Sequence, residues 1–188
     1  MLNLDGNQFK VLKEVYNDKD MEETSINVRR RFSSQDGFFS VFDLFSLFDT
    51  LVILHDDKDD PVTRYITFKI SDNANYLILS AGRTVEEMRF DAACMLRSVM
   101  KSANRGKGKI SLNCCVKDKA FSREDKHFAC ALLMPEKELM RFILQKDERG
   151  NYKYINKDGE ISFKNINAVA DYFGVPFGKC SSRIYHVF

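Results

Sequence analysis

Tryptophan is missing from the 188 residues, and histidine occurs only at His55, His127 and His186. The first absence leaves the core to sixteen phenylalanines, and the second confines any imidazole chemistry to three positions. Five cysteines, at 94, 114, 115, 130 and 180, include no Cys-x-x-Cys pair and leave an odd one over. That argues against a disulfide framework or a cysteine-rich zinc site and fits a reducing cytoplasm. No apolar run reaches the roughly 18 residues that a spanning helix needs, so no membrane association is expected. Residues 1–8 lack the basic-then-apolar order of a signal peptide. Neither sign of charge dominates: 29 Lys and Arg face 27 Asp and Glu, a net +2, too near balance to call for nucleic acid by itself. What remains is 44% hydrophobic and 30% charged, the composition of an intracellular globule of one large or two small domains. No internal repeat or low-complexity tract interrupts it.

The periodicity then supplies elements. Leu4, Phe9, Leu12, Val15 and Tyr16 recur at near-helical spacing, which predicts an opening helix over 5–18. Residues 20–37 are polar, carry Arg29, Arg30 and Arg31, and read as a loop or short helix, the best candidate for a linker. Phe39, Phe42, Phe45 and Phe48, interleaved with Val41, Leu44 and Leu47, predict a buried helix over 38–49. A period of three drifts around a helix, so part of that row could face a partner. Residues 51–54, 65–70 and 76–79 read as strands, the last two antiparallel across the turn at 72–75.

Thr84 is a candidate N-cap for a helix to about 102, followed by a basic, glycine-containing loop over 101–109 and a short strand within 110–116. Ser122 and Asp125 form a capping-box pattern opening a helix that runs to Met134. Pro135 fits the first turn of another helix to 146. Residues 152–155 and 160–163 flank Asn156, Lys157, Asp158 and Gly159 as a hairpin would. Helices over 166–173, closed by Gly174, and 179–187 finish the chain. The order is α+β, a small antiparallel sheet packed with helices, then a C-terminal hairpin and helices. Residues 1–37 would form an N-terminal helix and linker or arm, and 38–188 the main domain.

Three segments in order resemble the ImmA/IrrE family of zinc-dependent peptidases. Arg89-Phe90-Asp91-Ala92-Ala93-Cys94-Met95-Leu96-Arg97-Ser98 falls where that family has Arg-Phe and then a His-Glu-x-x-His helix. Glu124-Asp125-Lys126-His127-Phe128-Ala129-Cys130-Ala131-Leu132-Leu133-Met134-Pro135 looks like its downstream Glu-Ala-Asn-x-Phe-Ala-x-x-Leu-Leu-Met-Pro helix. Ala170, Phe173, Val175 and Arg183 resemble its closing helical element. The resemblance covers residues 39–188 and implies a zincin-like fold.

It does not carry the chemistry over. The family's site needs two imidazoles at i and i+4, a glutamate general base and a third ligand from the next helix. Here the first histidine position is Cys94, the glutamate is Met95 and the second histidine is Ser98. Only Glu124, matching the third ligand, is kept. No histidine lies in 83–102 under any register.

Sharper readings of single residues stand beside ordinary ones. Cys94 could be a substitute ligand or nucleophile, but beside Ala92 and Ala93 it reads as a small core residue. Glu124, His127 and Cys94 could improvise a three-ligand metal site, or be a surface pair and a core thiol. The acidic run at 56–61 lacks the ligand spacing of an EF-hand and reads as a solvated turn. Lys101, Arg105, Lys107 and Lys109 could contact phosphates or simply be solvated. Phe188 is a further candidate for partner contact.

The expected function is therefore non-catalytic: a pseudopeptidase, without a cofactor, that binds a protein partner. By resemblance the partner is a repressor or another component of phage, mobile-element or host-defence biology. Candidate contacts are Arg29, Arg30, Arg31, Lys101, Arg105, Lys107 and Lys109, with Cys94, Met95, Ser98 and Glu124 as a vestigial site. A divergent metal- or cysteine-dependent peptidase acting on a repressor is one alternative. Nucleic-acid binding through the 101–109 loop is another.

Overall fold

A computed structural model describes residues 14–17, 19–33, 39–46, 50–55, 67–71, 74–105, 114–115 and 121–188. The elements in chain order are α1 (Met21–Phe32), α2 (Val41–Ser46), β1 (Thr50–His55), β2 (Thr67–Ser71), β3 (Ala74–Ser80), α3 (Val85–Arg105), β4 (Cys114–Cys115), α4 (Arg123–Leu133), α5 (Glu136–Ile143), α6 (Phe163–Phe173) and α7 (Phe177–Val187). Mixed helix and sheet is thus the architecture, the α+β class expected.

The sheet departs from expectation. Its order is β1-β3-β2-β4, with β2 antiparallel to β3 and to β4, but β1 parallel to β3 in the register Leu51 to Tyr76 and Ile53 to Ile78. It is mixed, not antiparallel. With only two positions between Ser71 and Ala74, β2 and β3 pair antiparallel. β1 and β3 are separated by enough sequence to pair parallel, which a short connection would not allow. Alternation along β3 places Leu77 and Leu79 in the core and leaves Ile78 half-buried.

Helix starts follow local chemistry. Asp20 caps α1 by accepting from the Glu23 N–H, and its three arginines fall in the last turn, at the negative end of the helix dipole. Thr84 and Glu87 cap α3 reciprocally. Ser122 and Asp125 form the full capping box at α4. Gly174, at φ +58°, ends α6 in the left-handed conformation, with the Val175 N–H reaching back to the Ala170 carbonyl.

Three expected boundaries move. The polar stretch proposed as a loop, short helix or linker contains the three-turn α1, which packs on α4. Its Arg29 donates to the Leu132 carbonyl and to Glu138. Helix α3 continues through Lys101 to Arg105 because nothing before Gly106 breaks it. The C-terminal hairpin reduces to a single bridge, Ile155 with Ile161, since Ser162 caps α6 and turns the chain away from a strand. Of the phenylalanine row, Phe39 and Phe45 are buried and Phe42 half-buried, whereas Phe48 lies outside the described residues.

Helices α3 and α4 form the centre. Residues 128–133 of α4 and the following Met134 are buried throughout, with α3, α1 and α7 all packed on α4.

Candidate functional site

Helix α3 carries the positions that would hold a cation in the family resembled. Cys94 and Met95 are wholly buried among Ala92, Ala93 and Leu96, and Ser98 is half-buried one turn on. Burial first, then the nearby Asp91 and Asp125 carboxylates, push the Cys94 thiol well above the ordinary range. It is a protonated core group. Glu124 stands exposed in the first turn of α4, its carboxylate held low by its own backbone N–H and by Ser122. The fold therefore does not bring Glu124 to Cys94. Asp125, one residue on, faces inward instead and accepts from Arg97 at 2.7 Å. Among the described residues, no group of three His, Cys, Asp or Glu side chains is placed to hold a metal ion.

Functional-looking geometry lies on the other side of α4. Arg183 of α7 is 2% exposed, donates from Nε to the Met134 carbonyl and grips both carboxylate oxygens of Glu22 from α1. Burial works to raise the Glu22 carboxyl, but its bonds to Arg183 and His127 prevail and hold it below the usual range. His127 lies 3.2 Å from the same carboxylate and meets His186 edge-on at 5.0 Å between ring centres. Three helices are pinned together at one carboxylate.

In front of that network opens a cleft of about 300 Å³ between α4 and α7. Arg123, Lys126, His127 and Cys130 line one wall, and Lys179, Ser182, Arg183 and His186 the other. Both sets follow i, i+3, i+4, i+7, the spacing of one helix face. Cys130 forms part of the floor, its thiol pushed up to about 11 by burial.

No protein-family model, curated protein or solved structure matches the chain. Of the expected contact residues, Arg29 is committed to Glu138, while Arg30 and Arg31 are exposed on the outer face of α1. Lys101 is half-buried and Arg105 ends α3; Lys107, Lys109 and the acidic run at 56–61 lie outside the described residues. Among the described residues, no helix is long and apolar enough to cross a membrane.

A second surface is largely apolar. Tyr185 is 77% exposed and Phe188 53%, and both line a groove with Glu160, Ile161, Ile166 and Ile184. Phe163 and Tyr172 are exposed on α6. Sequence reasoning singled out Phe188 alone of these. Lys126, Lys179 and His186 were legible only as helical spacings in two distant segments, and it takes the fold to place those faces opposite each other.

Proposed function

We propose that this chain is a non-catalytic protein-binding module, built on a scaffold of the kind the ImmA/IrrE resemblance implies and used in regulation or inhibition within phage, mobile-element or host-defence biology. The observation that carries the reading is the sealing of Cys94 and Met95 in the core while Glu124 faces solvent. A hydrolytic centre needs an open coordination position or a reachable nucleophile, and a buried, protonated thiol beside a thioether supplies neither. Further support comes from the order of elements: a strand pair, a helix carrying Arg89 and Phe90, then a second helix packed across it.

The binding half of the reading rests on the exposed aromatics. Large aromatic side chains are enriched at protein interfaces and carry much of their affinity. Tyr185 and Phe188 line a groove whose floor includes Ile161, Ile166 and Ile184, as anchors for a partner would. A repressor or another component of the same biology is the partner that the resemblance suggests.

Two measurements test this. Purified protein supplied with zinc is expected to leave unstructured peptides intact; chelator-sensitive cleavage lost in Glu124→Ala would overturn the non-catalytic reading. A partner co-purified from the native host, then isolated, is expected to bind the pure chain directly. Tyr185→Ala with Phe188→Ala should weaken that complex by about tenfold or more, as loss of interface anchors does. Unchanged affinity would remove this surface from the proposal.

A further inference from the structure

We infer that the cleft between α4 and α7 binds a small phosphate-bearing molecule. This goes beyond the protein-binding reading and does not rest on it.

Charge is the first observation. Four basic side chains, Arg123, Lys126, Lys179 and Arg183, line about 300 Å³, and no carboxylate is among the lining residues. Glu22 borders the cleft and is taken up by Arg183 and His127. Arg123, Lys126 and Lys179 have no ion pair among the described residues. Like charges gathered in a concave site repel one another and focus a positive potential, and an anion relieves both effects.

Preorganisation is the second. Arg183 is locked by Glu22 and the Met134 carbonyl, and Lys179 lies over the Phe90 ring at 5.2 Å. Arg123 and Lys126, one turn of α4 apart, face them across the opening. An ammonium on each wall and a guanidinium at the rim suit a compact dianion, whose several oxygens accept charged hydrogen bonds from different directions. With Arg183 taken up by Glu22, three of the lining cations remain unpaired among the described residues; a dianion balances two of them and a monoanionic carboxylate only one. Ser182 contributes no donor, because its hydroxyl already donates to the Gly178 carbonyl at 2.8 Å. The volume falls at the lower end of small-ligand sites, which fits a molecule no larger than a mononucleotide.

Titration calorimetry of the full chain with inorganic phosphate, pyrophosphate and adenosine 5′-monophosphate tests the assignment, with acetate at matched ionic strength as the comparison. Saturable binding of at least one phosphate probe is expected, with none of acetate. Lys126→Gln with Lys179→Gln should weaken it by about tenfold or more. Lys153→Gln, on a separate surface of mixed charge, should leave it unchanged. If the Lys179 change disturbs folding, Arg123→Gln with Lys126→Gln serves instead, since both side chains reach solvent. Tighter binding of the nucleotide than of phosphate would identify a nucleoside-bearing ligand; equal binding would identify the phosphate group as the whole determinant. No saturable heat with any probe at millimolar concentration, or binding that survives both double substitutions, overturns the inference.

Discussion

Arg183 and Glu22 are 161 positions apart in the chain and meet in a two-pronged ion pair that joins α7 to α1. The arginine is buried, and the carboxylate is what makes a charged group tolerable there. His127 shares the same carboxylate, and the pair therefore also fixes α4.

Glu22→Ala should consequently destabilise the protein by about 2–4 kcal/mol, somewhat under the range for a fully buried pair because Glu22 retains some exposure. Glu22→Gln, which keeps an acceptor but not the charge, should fall between this variant and the wild type. Urea unfolding of the three proteins measures it. A loss below about 0.5 kcal/mol in the alanine variant, the level of an ordinary surface change, would mean that Arg183 is satisfied without Glu22.

Gly174 provides a second test. Arg89 donates to the carbonyls of Phe173 and Gly174, and a Cβ at Gly174 would lie 2.7 Å from the Arg89 Nη1. Its φ of +58° adds the left-handed penalty of about 1–2 kcal/mol for any side chain. Gly174→Ala should therefore lose about 2–4 kcal/mol in the wild-type background, since it also displaces a charged hydrogen-bond donor. In an Arg89→Ala background the same change should lose only the backbone part. That non-additivity separates collision from strain, and equal losses in both backgrounds would rule out the collision.

These residues show what the sequence made legible. The capping box at Ser122 and Asp125, the stop at Gly174 and the helical face of α3 follow from neighbours a few positions away, and pattern reading reached them. The direction of β1 does not: it depends on pairing with β3, a segment far along the chain, and no local pattern encodes that. Helix α1 was hidden by its polarity, since it docks through a few small residues, Thr24, Ser25 and Val28, and through long-range bonds of Arg29. At the site, the loss of ligands at Cys94, Met95 and Ser98 was plain from residue type. The facing of Lys126 toward Lys179 was not, because each lies on an unremarkable half-polar helix until the two are packed together.

The burial of Asp91 sets the sign of a pH dependence of stability. Burial pushes its carboxyl from 3.8 up to about 6, Arg83 pulling the other way and Glu87 adding to the rise. The folded state holds this proton more tightly than the unfolded chain does. Its contribution is thus complete below pH 3.8 and is lost as pH rises through about 6. At about 1.4 kcal/mol per unit, the loss approaches ~3 kcal/mol. Other carboxylates, Glu22 among them, are held low and act in the opposite sense at more acidic pH, so the quantity to measure is a difference. Stability of wild type relative to Asp91→Asn should fall between pH ~4 and ~7. A flat or rising difference would show that Arg83 keeps Asp91 ionised.

The thiols decide between a core and a cysteine-based chemistry most directly. Cys94, Cys130 and Cys180 are free and buried; burial raises all three, Cys130 to about 11 and Cys180 to about 12. At pH 8 about one Cys130 in a thousand is therefore thiolate, the form that attacks or binds metal. Cys94 is raised further by the charges of Asp91 and Asp125, so an activating partner is opposed by its surroundings as well as by its depth. Native protein treated with an alkylating reagent and mapped by mass spectrometry should show Cys94 and Cys180 unmodified after hours, and both modified within minutes in urea. Cys94→Ala should leave the fold intact at a loss of about 1 kcal/mol, as removal of a small core group does. Rapid native labelling at Cys94 would place a thiolate where the packing has room only for a thiol, and would return that position to the list of nucleophiles.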